Sequence, residues 1–152
     1  MRLNSDFTLD DTFEPGIGPT VKSQPSVLLS QTDGKVLMLG DFKYFNGSDK
    51  GGIVRLNADL TVDDTFETGK GLSDVYVSSA VVRPDNKVVI QSQAKKFNDV
   101  PFDRIIRLNT DGSLDDTFSA STATFSTLTT PIHEKILGSG AYARFNGTLQ
   151  TY

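Results

Sequence analysis

Short apolar runs separated by polar turn residues recur along the whole chain. PSVLLSQ (25–31) and VYVSSAVVRP (75–84) form one matching set, and KVLMLGDF (35–42) and KVVIQSQA (87–94) form another. Runs of this length, rich in β-branched and aliphatic residues, predict β-strands. No stretch has the three-to-four-residue apolar spacing of an amphipathic helix. The pattern therefore predicts an all-β protein.

Two further runs complete a set of four predicted strands in each copy. GIVRLN (52–57) and RIIRLN (104–109) are third strands, and LTVDDTF or GSLDDTF is the fourth. Asp33-Gly34 lies between the first and second strands, and Asp111-Gly112 lies between the third and fourth. Asp-Gly is the typical pair of a two-residue hairpin turn. We therefore predict an antiparallel hairpin with a two-residue turn at each position.

Two phrases occur three times with a period of about 52 residues. RLNSDFTLDDTF begins at Arg2, RLNADLTVDDTF at Arg55 and RLNTDGSLDDTF at Arg107. KVLMLGDFKYFNG, KVVIQSQAKKFND and KILGSGAYARFNG share a Phe-Asn pair at one offset, with the phenylalanines at Phe45, Phe97 and Phe145. A period near 50 is typical of propeller blades. Each blade of a β-propeller is a four-stranded antiparallel sheet.

Composition excludes several classes of function. The chain of 152 residues is 37% hydrophobic and 22% charged, with a net charge of −4. An acidic chain without a cluster of Lys and Arg does not favour a nucleic-acid partner. The absence of cysteine excludes disulfides, thiolate nucleophiles and Cys-based zinc sites. No apolar run approaches the ~18 residues of a membrane span, and the first residues lack a signal-peptide pattern.

TDGKVLMLGDFKYFNG and RLNTDGSLDDTF resemble the delta-60 repeat, a β-propeller repeat family of bacterial and phage proteins. The resemblance covers nearly the whole chain and implies a propeller fold without assigned catalytic residues. The second copy departs from it at Asp99, which replaces the Gly of FNG. The third copy departs further, because His133-Glu134 replaces Asp-Gly and Ala141-Tyr142 replaces Asp-Phe.

The repeat register divides one domain, 1–152, into three blades. One blade spans 15–66 and the next spans 67–118, while strands in 1–14 would complete a blade begun by 119–152. Completing a blade in this way would remove open sheet edges. Because propellers typically have 4–8 blades, three blades predict a head-to-tail homodimer that closes a six-bladed ring.

Each RLN…DDTF phrase combines an arginine with two adjacent aspartates. With a two-residue turn, the predicted cross-strand pairs are Arg2 with Asp11, Arg55 with Asp64 and Arg107 with Asp116. Such a pair contributes roughly 0.2–1 kcal/mol. Neighbouring strand residues point to opposite faces of a sheet, so the paired carboxylates suit acid–base glycosidase chemistry poorly. We favour a structural role.

Aromatic residues recur at two positions of the repeat. Phe13, Phe66 and Phe118 are predicted core residues between blades, and Tyr152 is predicted at the junction of the termini. Phe45, Phe97 and Phe145 lie in the predicted loop between the second and third strands, beside Lys43, Tyr44, Lys95, Lys96 and Arg144. We favour packing with Asn capping a turn. The alternative is a glycan or protein site on these loops, since loops often carry function.

A calcium site is a weak candidate. Asn109, Asp111, Asp115 and Asp116 have the oxygen density of a calcium loop. Their spacing is not that of an EF-hand, so we favour a polar turn and predict no cofactor. His133 is the only histidine, and a single histidine cannot build a His-based zinc site.

These features favour a non-enzymatic structural or assembly module. We expect a propeller ring that serves as a phage virion component, such as a tail or capsid appendage. Its expected partners are a second copy of the chain and other virion proteins. The alternative is a bacterial surface or secreted module that binds a glycan or protein through its blade loops.

Overall fold

The structure is a computed structural model. It describes residues 2–12, 16–19, 24–73, 76–118, 125, 127–129, 136–139, 143–145 and 148–150. In chain order, the strands of this part are β1 (Pro25–Ser30), β2 (Val36–Gly40), β3 (Tyr44–Phe45), β4 (Ser48–Asp49), β5 (Ile53–Leu56), β6 (Val77–Val82), β7 (Val88–Ser92), β8 (Lys96–Phe97), β9 (Val100–Pro101), β10 (Ile105–Leu108), β11 (Thr127–Thr129), β12 (Leu137–Ser139), β13 (Ala143–Phe145) and β14 (Thr148–Gln150). The described residues contain no helix, so none there is long and apolar enough to cross a membrane.

Two antiparallel sheets correspond to the first two predicted blades. The first has the order β1-β2-β5 and the second has the order β6-β7-β10. Both were predicted from the apolar runs, and the all-β prediction is confirmed for the described residues. The predicted fourth strand is reduced to a single bridge in each sheet, Leu56 with Val62 and Leu108 with Leu114. After this bridge the chain turns away, because Asp63 accepts a hydrogen bond from the Thr65 N–H.

The Asp-Gly turns contain three residues, not two, so the predicted register is wrong by one. The Asn109 N–H donates to the Ser113 carbonyl at 2.8 Å, and the Gly112 N–H donates to the Asn109 carbonyl at 3.0 Å. Gly112 has φ +90°. A type I turn followed by a left-handed residue is the usual three-residue hairpin loop. Leu60 occupies the position of Gly112 in the first copy, with φ +70°.

Small hairpins lie where the sequence predicted a loop between the second and third strands. β3 pairs with β4 and β8 pairs with β9, each across a two-residue turn. The turn residues Asn46 and Gly47 have φ +48° and +80°. Two successive positive φ values match a type I′ turn, which favours Asn-Gly. Asn98 and Asp99 adopt the same conformation without a glycine.

The sheets pack face to face with their first strands side by side. β1 contacts β6, and β6 contacts β11 in the third copy. Leu37, Leu39 and Ile53 of the first sheet are buried in one cluster with Ile90 and Leu108 of the second. Strands β5 and β7 are buried along their whole length, which explains why they read as nearly continuous apolar runs. The described sheets are therefore stacked as blades.

The third copy is described in part. β11 pairs with β12 and β13 pairs with β14, and Leu128 packs against Val81 of the second sheet. Near the other end of the chain, residues 2–12 form a hairpin with a bridge between Leu3 and Leu9. Phe13 and Tyr152 lie outside the described residues. The split of one blade between 1–14 and 119–152 therefore stays a prediction.

Candidate functional site

A buried polar cluster lies where the third strand of the first copy meets the outer segment. The Arg55 Nε and the Lys35 Nζ donate to Asp63 Oδ2 at 2.7 Å and 2.8 Å. The hydroxyl and N–H of Thr65 donate to Asp63 Oδ1 at 2.6 Å and 3.0 Å. Both carboxylate oxygens of Asp63 are thus engaged. The cluster joins the second strand, the third strand and the turn that follows the bridge.

The second copy repeats this cluster atom for atom. Lys87 Nζ and Arg107 Nε both donate to Asp115 Oδ2 at 2.7 Å. The Thr117 hydroxyl donates to Asp115 Oδ1 at 2.6 Å. The repeated geometry explains why the lysine of KVL or KVV, the arginine of RLN and the first aspartate of DDTF recur together.

The hairpin of residues 2–12 carries the same arrangement without a lysine among its described contacts. Arg2 Nε donates to Asp10 Oδ2 at 2.6 Å. The Thr12 hydroxyl donates to Asp10 Oδ1 at 2.6 Å. The lysine at the corresponding repeat position, Lys135, lies outside the described residues.

The predicted arginine partners are wrong by one residue. Asp10, Asp63 and Asp115 hold the arginines, whereas the predicted partners Asp11, Asp64 and Asp116 are exposed at the following turn. The three-residue loop is the cause, because its extra residue places the first aspartate of each pair beside the arginine. A strand pair shifted by one residue exchanges the side chains on its two faces.

The cluster keeps its aspartates ionised. Burial alone would raise the pKa of Asp63, but the hydrogen bonds from Lys35, Thr65 and Arg55 hold that pKa well below its usual range. Hydrogen bonds from Lys87 and Thr117 likewise hold the pKa of Asp115 well below its usual range. Thr12 and Arg2 lower the pKa of Asp10 to about 2. A carboxylate held in this way is a weak base that anchors the outer hairpin to the sheet.

In the clusters of Arg55 and Arg107, the arginine also stacks on the phenylalanine that ends its phrase. The Arg55 guanidinium carbon lies 4.4 Å from the ring centroid of Phe66. The corresponding distance from Arg107 to Phe118 is 4.6 Å. Phe66 is buried between the two sheets, while Phe118 is half-buried and packs in the cluster with Val89 and Leu128. A guanidinium over an aromatic face adds a cation–π attraction.

The first cluster reaches across to the second sheet, a contact that the sequence did not indicate. Arg55 Nη1 donates to the Thr110 carbonyl at 2.7 Å. The Glu67 N–H donates to the Asp111 carbonyl at 2.7 Å. The turn of one outer hairpin is thus bound by the arginine of the preceding sheet. The sequence showed that the arginine recurs in each copy. It did not show the contact of Arg55 with Thr110, because that contact forms only when the two blades stack.

In the first two copies, the Phe-Asn pair connects the blade to the segment that leads into it. Phe45 and Phe97 are buried. Asn46 Oδ1 accepts a hydrogen bond from the Gly18 N–H at 2.8 Å, and Asn98 Oδ1 accepts one from the Gly71 N–H at 3.1 Å. This geometry supports the packing and turn-capping interpretation. The side chain of Phe145 lies outside the described residues.

The calcium candidates do not converge on one point. Asp115 is bound by Lys87 and Arg107, and Asp111 accepts hydrogen bonds from the N–H and hydroxyl of Ser113. The Asn109 amide donates to the Ser113 hydroxyl, and Asp116 is exposed. The described part of the chain has no group of three or more acidic or histidine side chains that could hold a metal ion. His133 lies outside the described residues.

The described part of the chain contains stacked antiparallel sheets, and each of the first two carries the same Lys–Arg–Asp cluster. Residues 31–66 and 83–118 match the model of a family described as "Domain of unknown function (DUF5122) beta-propeller". The two matched segments run from the first hairpin turn of a copy to the phenylalanine that ends its outer hairpin, which supports a β-propeller repeat family. No curated protein and no solved structure matches the chain.

Proposed function

We propose that the protein is a non-enzymatic assembly module that forms a closed propeller ring from two chains. The main support is a difference in solvent exposure between corresponding residues of the two sheets. Leu28 of β1 is 63% exposed, whereas Ala80, its counterpart in β6, is packed against the first sheet and 6% exposed. The first sheet therefore presents the face that the second sheet buries against its predecessor. A preceding blade from another chain would cover Leu28.

Blade number supports the same arrangement. A propeller usually has 4–8 blades, and two chains of three blades give six. A head-to-tail contact of this kind either closes into a ring or continues as a filament. We propose closure at two chains, with the repeats being of the delta-60 type.

Native mass spectrometry over a range of protein concentrations tests this function. The expected result is a species of two chains that persists on dilution to micromolar concentration. A single-chain species at all concentrations would overturn the proposal, and so would an open series of masses. Leu28→Asp is expected to shift the distribution towards single chains, with exposed Tyr76→Asp as the matched control on the other sheet.

The proposed setting is a phage particle, in which the ring would be a tail or capsid appendage that contacts other virion proteins. This setting is supported by the resemblance of the repeats to a repeat found in phage proteins. The neighbouring genes provide the test: portal, capsid or tail genes are expected beside it. Neighbours devoted to cell-surface export would contradict this setting.

A second candidate function is recognition of a glycan or protein at the surface of a bacterium or outside it. The observation that favours it is the exposed ring of Tyr44, with Lys43 Nζ 5.2 Å from the ring centroid. An exposed aromatic ring beside a cation suits stacking and polar contacts with a sugar. Glycan-array binding that is lost in Tyr44→Ala but retained in the control Tyr76→Ala would support this function. Absence of binding on the array would count against it.

A further inference from the structure

The contact between the two sheets shows what an outer hairpin binds. The turn at Thr110-Asp111 places two backbone carbonyls against the first sheet, one facing Arg55 Nη1 and one facing the Glu67 N–H. Arg55 is 7% exposed in this contact. The first sheet therefore recognises the next outer hairpin through its backbone, independently of the side chains in that turn.

The second sheet presents a corresponding arginine at its far side. Arg107 occupies the position of Arg55, yet its side chain is 19% exposed. Its Nε binds Asp115 and its Nη2 contacts Thr117, while its Nη1 has no hydrogen-bond partner among the described residues. A groove of about 340 Å³ lies there, lined by Phe102, Ile105, Arg107 and Phe118 among others.

The hairpin of residues 2–12 has the features that this groove requires. It repeats the internal bonds of the hairpin that Arg55 binds, with Asn4 donating to Thr8 and Asp6 accepting from Thr8. By repeat position, Ser5 corresponds to Thr110 and Asp6 corresponds to Asp111. Its apolar side chains at Leu3 and Leu9 are exposed, whereas Leu108, the counterpart of Leu3, is buried in the second sheet.

The Lys–Asp ion pairs of the first two copies support the same position for the hairpin 2–12. Asp63 and Asp115 each bind a lysine from the second strand of their blade. Asp10 binds Arg2 but no lysine among the described residues. By repeat position, the matching lysine of the third copy is Lys135, in the predicted blade that follows Arg107. A hairpin seated beside Arg107 would bring Asp10 to that blade.

We propose that the groove at Arg107 binds the hairpin 2–12 of a second copy of this chain. In this contact the Arg107 Nη1 donates to the Ser5 carbonyl, as Arg55 Nη1 donates to the Thr110 carbonyl. By repeat position, Ser119 corresponds to Glu67. The inference rests on the proposed two-chain ring and names its contact. The hairpin must come from another copy, because closure within one chain would need a three-bladed ring, outside the usual 4–8.

Cross-linking through introduced cysteines tests this contact directly, because the chain has no cysteine of its own. Chains carrying only Asp6→Cys and chains carrying only Ser119→Cys are co-expressed and treated with a short bis-maleimide. The expected result is a product of two chains that contains one of each. The matched control is the double variant Glu67→Cys with Asp111→Cys, which marks the described contact and is expected to link within one chain.

The outcomes separate this inference from the proposed ring. If the native protein has the mass of two chains but the co-expressed variants form no mixed product, the docking site is wrong and the ring stands. If the double variant Asp6→Cys with Ser119→Cys links only within one chain, the second-copy assignment is wrong. A native protein of single-chain mass would overturn both proposals.

A second variant tests the role of the arginine without thiols. Arg107→Lys keeps a cation beside Asp115 but removes the second arm of the guanidinium fork. We expect a roughly 10-fold rise in the dissociation constant of the two-chain species, as for loss of one charge-assisted hydrogen bond. Arg55→Lys is the control, which should lower the melting temperature and leave that constant unchanged. Equal effects of both variants on the constant would contradict the proposal.

Discussion

Replacing Asp63 by asparagine isolates the contribution of the buried cluster to stability. Asparagine keeps the size of the side chain but removes the charge that Arg55 and Lys35 share. Arg55 and Asp63 are both buried, whereas the Lys35 side chain is partly open to water. Breaking a fully buried ion pair costs about 3–5 kcal/mol. Because Lys35 can be hydrated, we expect about 2–3 kcal/mol for Asp63→Asn.

Urea unfolding followed by far-ultraviolet circular dichroism measures this change. A loss of 2–3 kcal/mol corresponds to a fall in melting temperature of roughly 4–12 °C for a chain of this size. The matched control is Asp64→Asn, the exposed neighbour, which should stay within about 0.5 kcal/mol of the native protein. Because dimer formation would contribute to stability, all variants are compared at one protein concentration.

The pH dependence of stability gives a second test of the Asp63 cluster. The folded-state pKa of Asp63 lies below its ordinary value of 3.8, so the folded state binds fewer protons than the unfolded state in this range. The stabilisation by Asp63 is complete above the ordinary pKa and is lost as pH falls through the folded-state pKa. The difference between the native protein and Asp63→Asn should therefore shrink on acidification. An equal loss in Asp64→Asn, or a pH-independent difference, would refute the cluster as described.

Three other substitutions test separate parts of the structure, each by the melting temperature and urea midpoint. Gly112→Ala should destabilise the protein by about 1–2 kcal/mol, since Gly112 has φ +90° and an added Cβ would lie 3.0 Å from the Glu67 nitrogen; no loss would argue against the three-residue turn. Phe97→Ala should lower the free energy of unfolding by about 3–5 kcal/mol, because Phe97 is fully buried. A near-neutral result would indicate that this ring does not lie in the core. Arg104→Gly should be neutral or stabilising by up to about 1 kcal/mol, because Arg104 has φ +64° where the first copy has Gly52; a clear loss would contradict strain there.

The strands were predictable from the sequence because each has a short apolar run bounded by turn residues. β1, β2 and β5 and their counterparts β6, β7 and β10 lie within the predicted runs. The hairpin register was not predictable from Asp-Gly, since this pair fits both two-residue and three-residue loops. In the first copy, Leu60 occupies the position of Gly112. Only an alignment of the two copies shows this correspondence, so neither turn alone indicated the longer loop.

The residues of the polar cluster were partly predictable from repetition. Arg55 and an adjacent aspartate were identified, but the one-residue error in register selected Asp64 in place of Asp63. Lys35 was missed as a partner because it lies 28 positions from Asp63 and meets it only when β2 and β5 pair. The contact of Arg55 with Thr110 was even less predictable from the sequence, since it forms only between two stacked blades.

In the proposed ring, stacked blades from two chains close on each other. Sedimentation equilibrium of the native protein tests it most directly, because the method returns the mass in solution without reference to shape. We expect a single species of twice the chain mass at micromolar concentration. A single species of one chain mass at the same concentrations would contradict it.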